Sequence, residues 1–187
     1  MGLRMPRIME ITERDQVPED QRQHFDSIMA SRNRIGVPYF YLLHCPDLAA
    51  RTAHLVAYSL FASDFPKEQK ELVICAVARE FDCVFEWAAQ ERHALDAGVR
   101  EEAIVSIRDG KAPEGLTDEE APFVRYVQEL LRPPHRITEP TFQALHKRLG
   151  DARLAELTGI IGGYVGLACS LNAFDVQVPE GRSILPT

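Results

Sequence analysis

No Cys-x-x-Cys pair occurs in this chain. Its four cysteines, Cys45, Cys75, Cys83 and Cys169, are spread over 187 residues. That scatter excludes a disulfide framework and fits a reducing compartment. It also excludes a zinc pattern, because no two cysteines or histidines stand at paired ligand spacing, and neither metal nor other cofactor is expected. The 21 lysines and arginines form no cluster, and the formal net charge is −7 with a pI near 5.4, so a nucleic-acid partner is not expected. No apolar run approaches the ~20 residues of a membrane span, and no membrane partner is expected. The longest candidate, residues 154–174, contains Glu156 and many small residues and reads as a buried core helix. The opening MGLRMPRIMEITERD has no signal-peptide apolar region, and a cytoplasmic location is the expectation. Strand-period alternation is also missing over any useful length.

What is present is enough for a packed core. Hydrophobic residues make up 45% and charged residues 26%, the balance of an ordinary globular domain. The pattern predicts one all-α domain of about eight helices over 1–187. It has an N-terminal extension at 1–16, a central region at 47–132 and an extended tail at 178–187. Helices are expected at 17–32, with acidic residues in the first turn, at 47–63 after a short aromatic segment at 39–44, and at 67–80 after Pro66. The 67–80 segment is apolar over a wide arc and so central. A helix over 83–97 follows, capped by Asp82 or by Cys83 itself with Glu86 at N3, and stopped by Gly98. A short helix over 99–108 precedes the capping box Thr117-Asp118-Glu119-Glu120, which opens 121–131; the acidic run 114–120 is loop and cap, not a metal site. Thr138 caps 139–149, and Gly150 separates it from a last long helix from Asp151 to about 174. Gly159, Gly162, Gly163 and Gly166 each cost that helix roughly 1 kcal/mol against alanine. Something is therefore expected to pack closely there, a neighbouring helix or another subunit.

The chemistry-bearing residues gather in one stretch, ELVICAVAREFDCVFEWAAQERHALDAGV. Cys83 stands at a helix N-terminus, where the unpaired N–H groups and the macrodipole favour a thiolate. Glu86 and Gln90 follow at i+3 and i+7 on the same face, and His93 at i+10 lies at its edge. Glu71 reaches the same place if helices 67–80 and 83–97 pack antiparallel, as their short connection implies. The plainer readings stand beside these. A cysteine between helices is commonly a small buried hydrophobe, and Asp82, Glu86 and Glu71 would all raise its pKa. His93 reads equally as an exposed helix residue beside Glu91 and Arg92. Glu71 is a solvated neighbour of Lys67 and Lys70, or a buried carboxylate. Cys75 is a core residue or a resolving thiol; Trp87 and Phe85 read as packing.

This stretch resembles the carboxymuconolactone decarboxylase family, which includes the alkylhydroperoxidase D proteins. The resemblance rests on Glu71-Leu72-Val73, Cys83 twelve residues after Glu71, Glu86-Trp87 and Ala97-Gly98-Val99. It extends more weakly to Gly36-Val37-Pro38 and to a glycine-rich final helix reaching Asn172-Ala173-Phe174. The resemblance implies an all-helical fold and homo-oligomeric assembly. The redox branch of that family uses a glutamate, a Cys-x-x-Cys pair and a histidine. Here Glu71 and Cys83 match the first two elements, while Glu86 stands at the second cysteine and Gln90 at the histidine. An internal disulfide cycle is therefore excluded at this site. The candidate catalytic residues are Cys83, Glu71, Glu86 and His93, the last as substitute for the missing histidine. Three functions follow. One is a thiol-dependent, peroxidase-related oxidoreductase acting on a hydroperoxide. One is a lyase decarboxylating a small carboxylated lactone. The third is a non-catalytic oligomer that binds a small ligand.

Overall fold

The computed structural model describes residues 5–178, 181, 182 and 184–186. All regular structure among them is helical, with eight α-helices and no strand, as the sequence predicts. The helices are α1 (Arg22–Arg32), α2 (Val37–Leu42), α3 (Pro46–Ala57), α4 (Lys67–Glu80), α5 (Val84–Asp96), α6 (Glu101–Arg108), α7 (Ala121–Leu131) and α8 (Glu139–Ala173). Part of the expected terminal segments, residues 1–4, 179, 180, 183 and 187, lies outside the described residues.

The chain divides into two compact units. The first holds the described residues up to Asp64 together with Cys169–Gln177. Its core is built on the inner faces of α1 to α3, with Phe25, Ile28, Tyr39, Tyr41, Leu43, Ala49, Ala53 and Val56 buried. Tyr41 stacks on Phe174 at 6.0 Å between centroids and donates its hydroxyl to Glu10 at 2.7 Å. Two boundaries differ from expectation. The acidic residues Glu19 and Asp20 form a separate 3₁₀ turn, Glu19–Gln21, and α1 begins only at Arg22. The expected 47–63 helix ends at Ala57 and continues as a π-helical turn, Tyr58–Ala62, a rare geometry. Leu55, Tyr58 and Phe61 are about half exposed or more at 50%, 49% and 63%.

The second unit holds Phe65–Ala168 with the described residues from Val178 on, and α4 is its central element. Every residue from Leu72 to Ala78 is buried, because α5, α6 and α7 all pack against this helix. Pro66 is the N-cap, one place before the expected first helical position. At the head of α7 the expected capping box is complete. Glu120 N donates to Thr117 Oγ1 at 3.2 Å and Thr117 N donates to Glu120 Oε2 at 2.8 Å. Phe65 meets Phe123 edge to face at 6.5 Å, and Tyr126 shares a 2.9 Å hydrogen bond with Thr158. α8 is kinked at Gly150, whose φ of 69° and ψ of 178° suit glycine. By length and composition α8 is apolar enough to cross a membrane, but half of its most apolar window is buried in the fold, as in a core helix. Beyond the kink, three of its glycines have no close neighbour within the chain, whereas Gly163 is buried. A Cβ added at Gly159, Gly162 or Gly166 would meet nothing within 4 Å, so no described neighbour packs closely there.

Candidate functional site

The hinge between α4 and α5 sets the site. α4 ends at Glu80, and Phe81 N donates to Val77 O at 3.2 Å. Asp82 then turns the chain back with a left-handed φ of 45°, held by an ion pair from Arg79. Asp82 is thus the turn residue and not the N-cap. Cys83 is the N-cap of α5; its N–H donates to Ala78 O at 2.9 Å, and its carbonyl accepts from Trp87 N at 2.9 Å. The capping-box alternative, with Glu86 reaching back to the cap, gives way to a bond inside α5. Gln90 Nε2 donates to Glu86 Oε1 at 2.8 Å, the i,i+4 geometry of one helix face.

This arrangement brings Glu71, Glu86 and His93 within electrostatic reach of one another around Glu71. Glu86 is nearly sealed, with 3% of its surface exposed. Burial pushes its carboxyl up, the Gln90 hydrogen bond pulls it part of the way back, and the charge of Glu71 adds to the rise; the result is about 7. Glu71 is half-buried and shifts the same way, through burial, against the opposing pull of His93, Lys70 and Lys67. Its Oε2 is buried with no hydrogen-bond partner, as is Trp87 Nε1. An unsatisfied carboxylate oxygen out of water favours the protonated form. His93 itself is exposed on the outer turn of α5.

Both thiols of this stretch occupy the core positions of the plainer sequence reading. Cys83 is fully buried. Cys75, one turn after Glu71 on α4, is also fully buried, and its thiol is pushed well up by burial and then by the charges of Glu71, Glu91 and Glu86. Glu71 and Glu86, expected near Cys83, thus also act on Cys75. The sequence signals no part for Glu91, and it places Gln90 on the Glu86 face without indicating the bond between them. The i,i+4 spacing of Glu86 and Gln90 was the signal that could have found it. Among the described residues no three His, Cys, Asp or Glu side chains converge as metal ligands. Glu86 can hold, accept and release a proton near neutral pH, and burial with three nearby carboxylates keeps the Cys75 thiol protonated and a poor nucleophile.

Residues 46–129 match the model of the family described as the carboxymuconolactone decarboxylase family. One solved structure is similar over nearly the whole length: alkylhydroperoxidase AhpD core, an uncharacterized peroxidase-related protein from Ralstonia eutropha JMP134. It superposes with a TM-score of 0.65 at 16% identity, covering 96% of this chain and 95% of that one. At that identity the likeness is one of fold. No curated protein sequence matches the chain significantly.

Proposed function

The chain belongs, through residues 46–129, to the carboxymuconolactone decarboxylase family, and from that premise we propose that it is an acid–base enzyme acting on a small carboxylated lactone. The observation that carries this reading is Glu86, a sealed carboxyl whose proton affinity sits at about 7 beside a second raised carboxyl, Glu71. Both carboxyls hold a proton more tightly than an ordinary carboxylate, because burial disfavours the charged form. Glu71, the half-buried member, is the catalytic acid that meets the substrate, and Glu86 is a positioning residue whose charge acts on it. In the reaction the carbon–carbon bond to the substrate carboxylate breaks and CO2 leaves. The bonding electron pair passes into the unsaturated lactone, and the carbon that receives it takes a proton from Glu71. The exposed His93 returns a proton from water to the pair. Positioned proton transfer of this kind is worth roughly 10²–10⁴ in rate. Decarboxylation of carboxylated lactones, followed by CO2 release, tests the reading. Turnover that survives in Cys83→Ser and collapses in Glu71→Gln supports it; no turnover on any acidic lactone overturns it.

A second reading, a thiol-dependent peroxidase, draws on the position of Cys83 as the cap of α5. A thiolate there would attack the hydroperoxide O–O bond, giving a sulfenic acid and an alcohol, and an external thiol would restore it. Its full burial counts against it. Hydroperoxide consumption with a thiol reductant decides this; equal rates in wild type and Cys83→Ser would remove it.

The same proposal includes homo-oligomeric assembly and a cytoplasmic location. The exposed side chains Leu55, Tyr58 and Phe61 and the open glycine face of α8 support the first. Four cysteines without a disulfide support the second. Sedimentation showing only a 21.1 kDa species would overturn the assembly.

A further inference from the structure

Three arginines in this protein clamp a carboxylate with the same edge of the guanidinium. Arg14 clamps Asp26 through Nε and Nη2, Arg100 clamps Glu120 and Arg132 clamps Glu80 by the same edge. That edge matches the two oxygens of a carboxylate, which is why the arrangement recurs. Arg79 breaks the pattern. It uses Nη1 to hold Asp82, while its Nε is buried without an acceptor. Leaving a charged donor unsatisfied away from water is costly. That Nε/Nη2 edge lies against Gly110, where an added Cβ would stand 3.4 Å from Nη2 and 3.9 Å from Nε.

Arg79 lines a cleft of about 230 Å³ formed by the end of α4, the turn after α6 and α7. Glu71 and Cys75 differ by only 40° around α4 at 100° per residue, whereas Ala76 and Glu80, which also line the cleft, lie 140° and 180° from Glu71. The cleft is therefore separate from the carboxylate pair. We propose that it binds a small organic monocarboxylate, whose two oxygens take the Nε/Nη2 edge of Arg79. Charge selects that class. Arg79 and Arg132 are balanced in the cleft by Asp82 and Glu80, so a planar monoanion fits where a dianionic phosphate would face two carboxylates. Ala76, Ile107 and Val124 supply an apolar wall for the body of the acid, and Gln128 an amide for a second polar group. This assignment does not depend on the acid–base reading of Glu71 and Glu86.

Benzoate titrated into the full-length ¹⁵N-labelled protein tests it, with inorganic phosphate as comparison. The expected result is a saturable shift of one arginine Nε–H resonance with a dissociation constant on the order of 1 mM. That resonance is missing in Arg79→Lys, which keeps the charge but not the fork and weakens binding about tenfold or more. Intermolecular NOEs from the benzoate ring to the Ile107 and Val124 methyl groups are expected in the wild type, and these decide the matter if the variant fails to fold. A response that does not saturate, equal or tighter binding of phosphate, undiminished affinity in a folded Arg79→Lys, or NOEs to other methyl groups would each overturn the proposal.

Discussion

Two buried glutamates in the same unit shift their proton affinities in opposite directions. Glu86 is 3% exposed and Glu120 8%. Burial raises both. For Glu120 the rise is more than cancelled by the Arg100 fork and by two hydrogen bonds from Thr117, which hold its carboxyl below the ordinary carboxylate value. Glu86 has a neutral amide, Gln90, where Glu120 has a guanidinium, and a second carboxylate nearby. Burial sets the size of the penalty on charge, and the partner decides whether the group escapes it. Glu120 is a structural anion that anchors the loop before α7. Glu86 holds its proton more tightly than an ordinary carboxyl, and it lies in the stretch that matches the family model.

The comparison breaks hardest at Glu71. Replacing it with glutamine keeps the shape and removes the titrating group. The expected loss in lactone turnover is about 100-fold or more by initial rates, with the fold unchanged by circular dichroism. Glu86 governs the next largest effect, on stability against pH. Its folded value of about 7 lies above its ordinary 4.5. The native chain therefore keeps a proton that the unfolded chain releases between those values. Stability is complete below about pH 4.5, falls as pH rises to about 7, and is level above that. The drop integrates to about 3 kcal/mol. Urea unfolding across this range is expected to show it in the wild type and to show a flatter profile, with higher stability at pH 8, in Glu86→Gln.

Arg100→Ala attacks the other member of the pair. It strands the Glu120 carboxylate and removes the bond to Gly115 O. A lower midpoint in urea unfolding is expected, moderated because Arg100 is 39% exposed. The smallest effect belongs to Gln90→Leu. Removing the one hydrogen bond that lowers Glu86 moves its proton affinity further up. The pH window of the stability loss then extends to higher pH, with an added cost of about 1 kcal/mol. A window that stays put would mean the Gln90 amide does not tune Glu86.

The local signals that survived folding were those with a short-range cause. Thr117 and Glu120 close their box because the two groups are three residues apart at a helix start. Gly98 and Gly150 both adopt positive φ where a helix ends or kinks. The signal that failed depended on what packs where. Asp82 is as good an N-cap residue as any by type, but its backbone is spent on the turn and its side chain on Arg79. At Gly159, Gly162 and Gly166 of α8 the face is open within the chain, which spacing alone does not tell.

The sequence by itself determined that this protein is helical, where most of its helices begin and end, and that Glu71, Cys83, Glu86 and His93 belong to one stretch. Periodicity, caps and breakers act within a few residues, so they are written in the chain. Only the tertiary structure decided the electrostatics. It sealed Glu86 without a cation, brought three carboxylates within electrostatic reach of Cys75, and left Arg79 Nε without an acceptor beside Gly110. Those outcomes depend on which side chains are excluded from water together, and that is fixed by the packing of α4 against α5, α6 and α7.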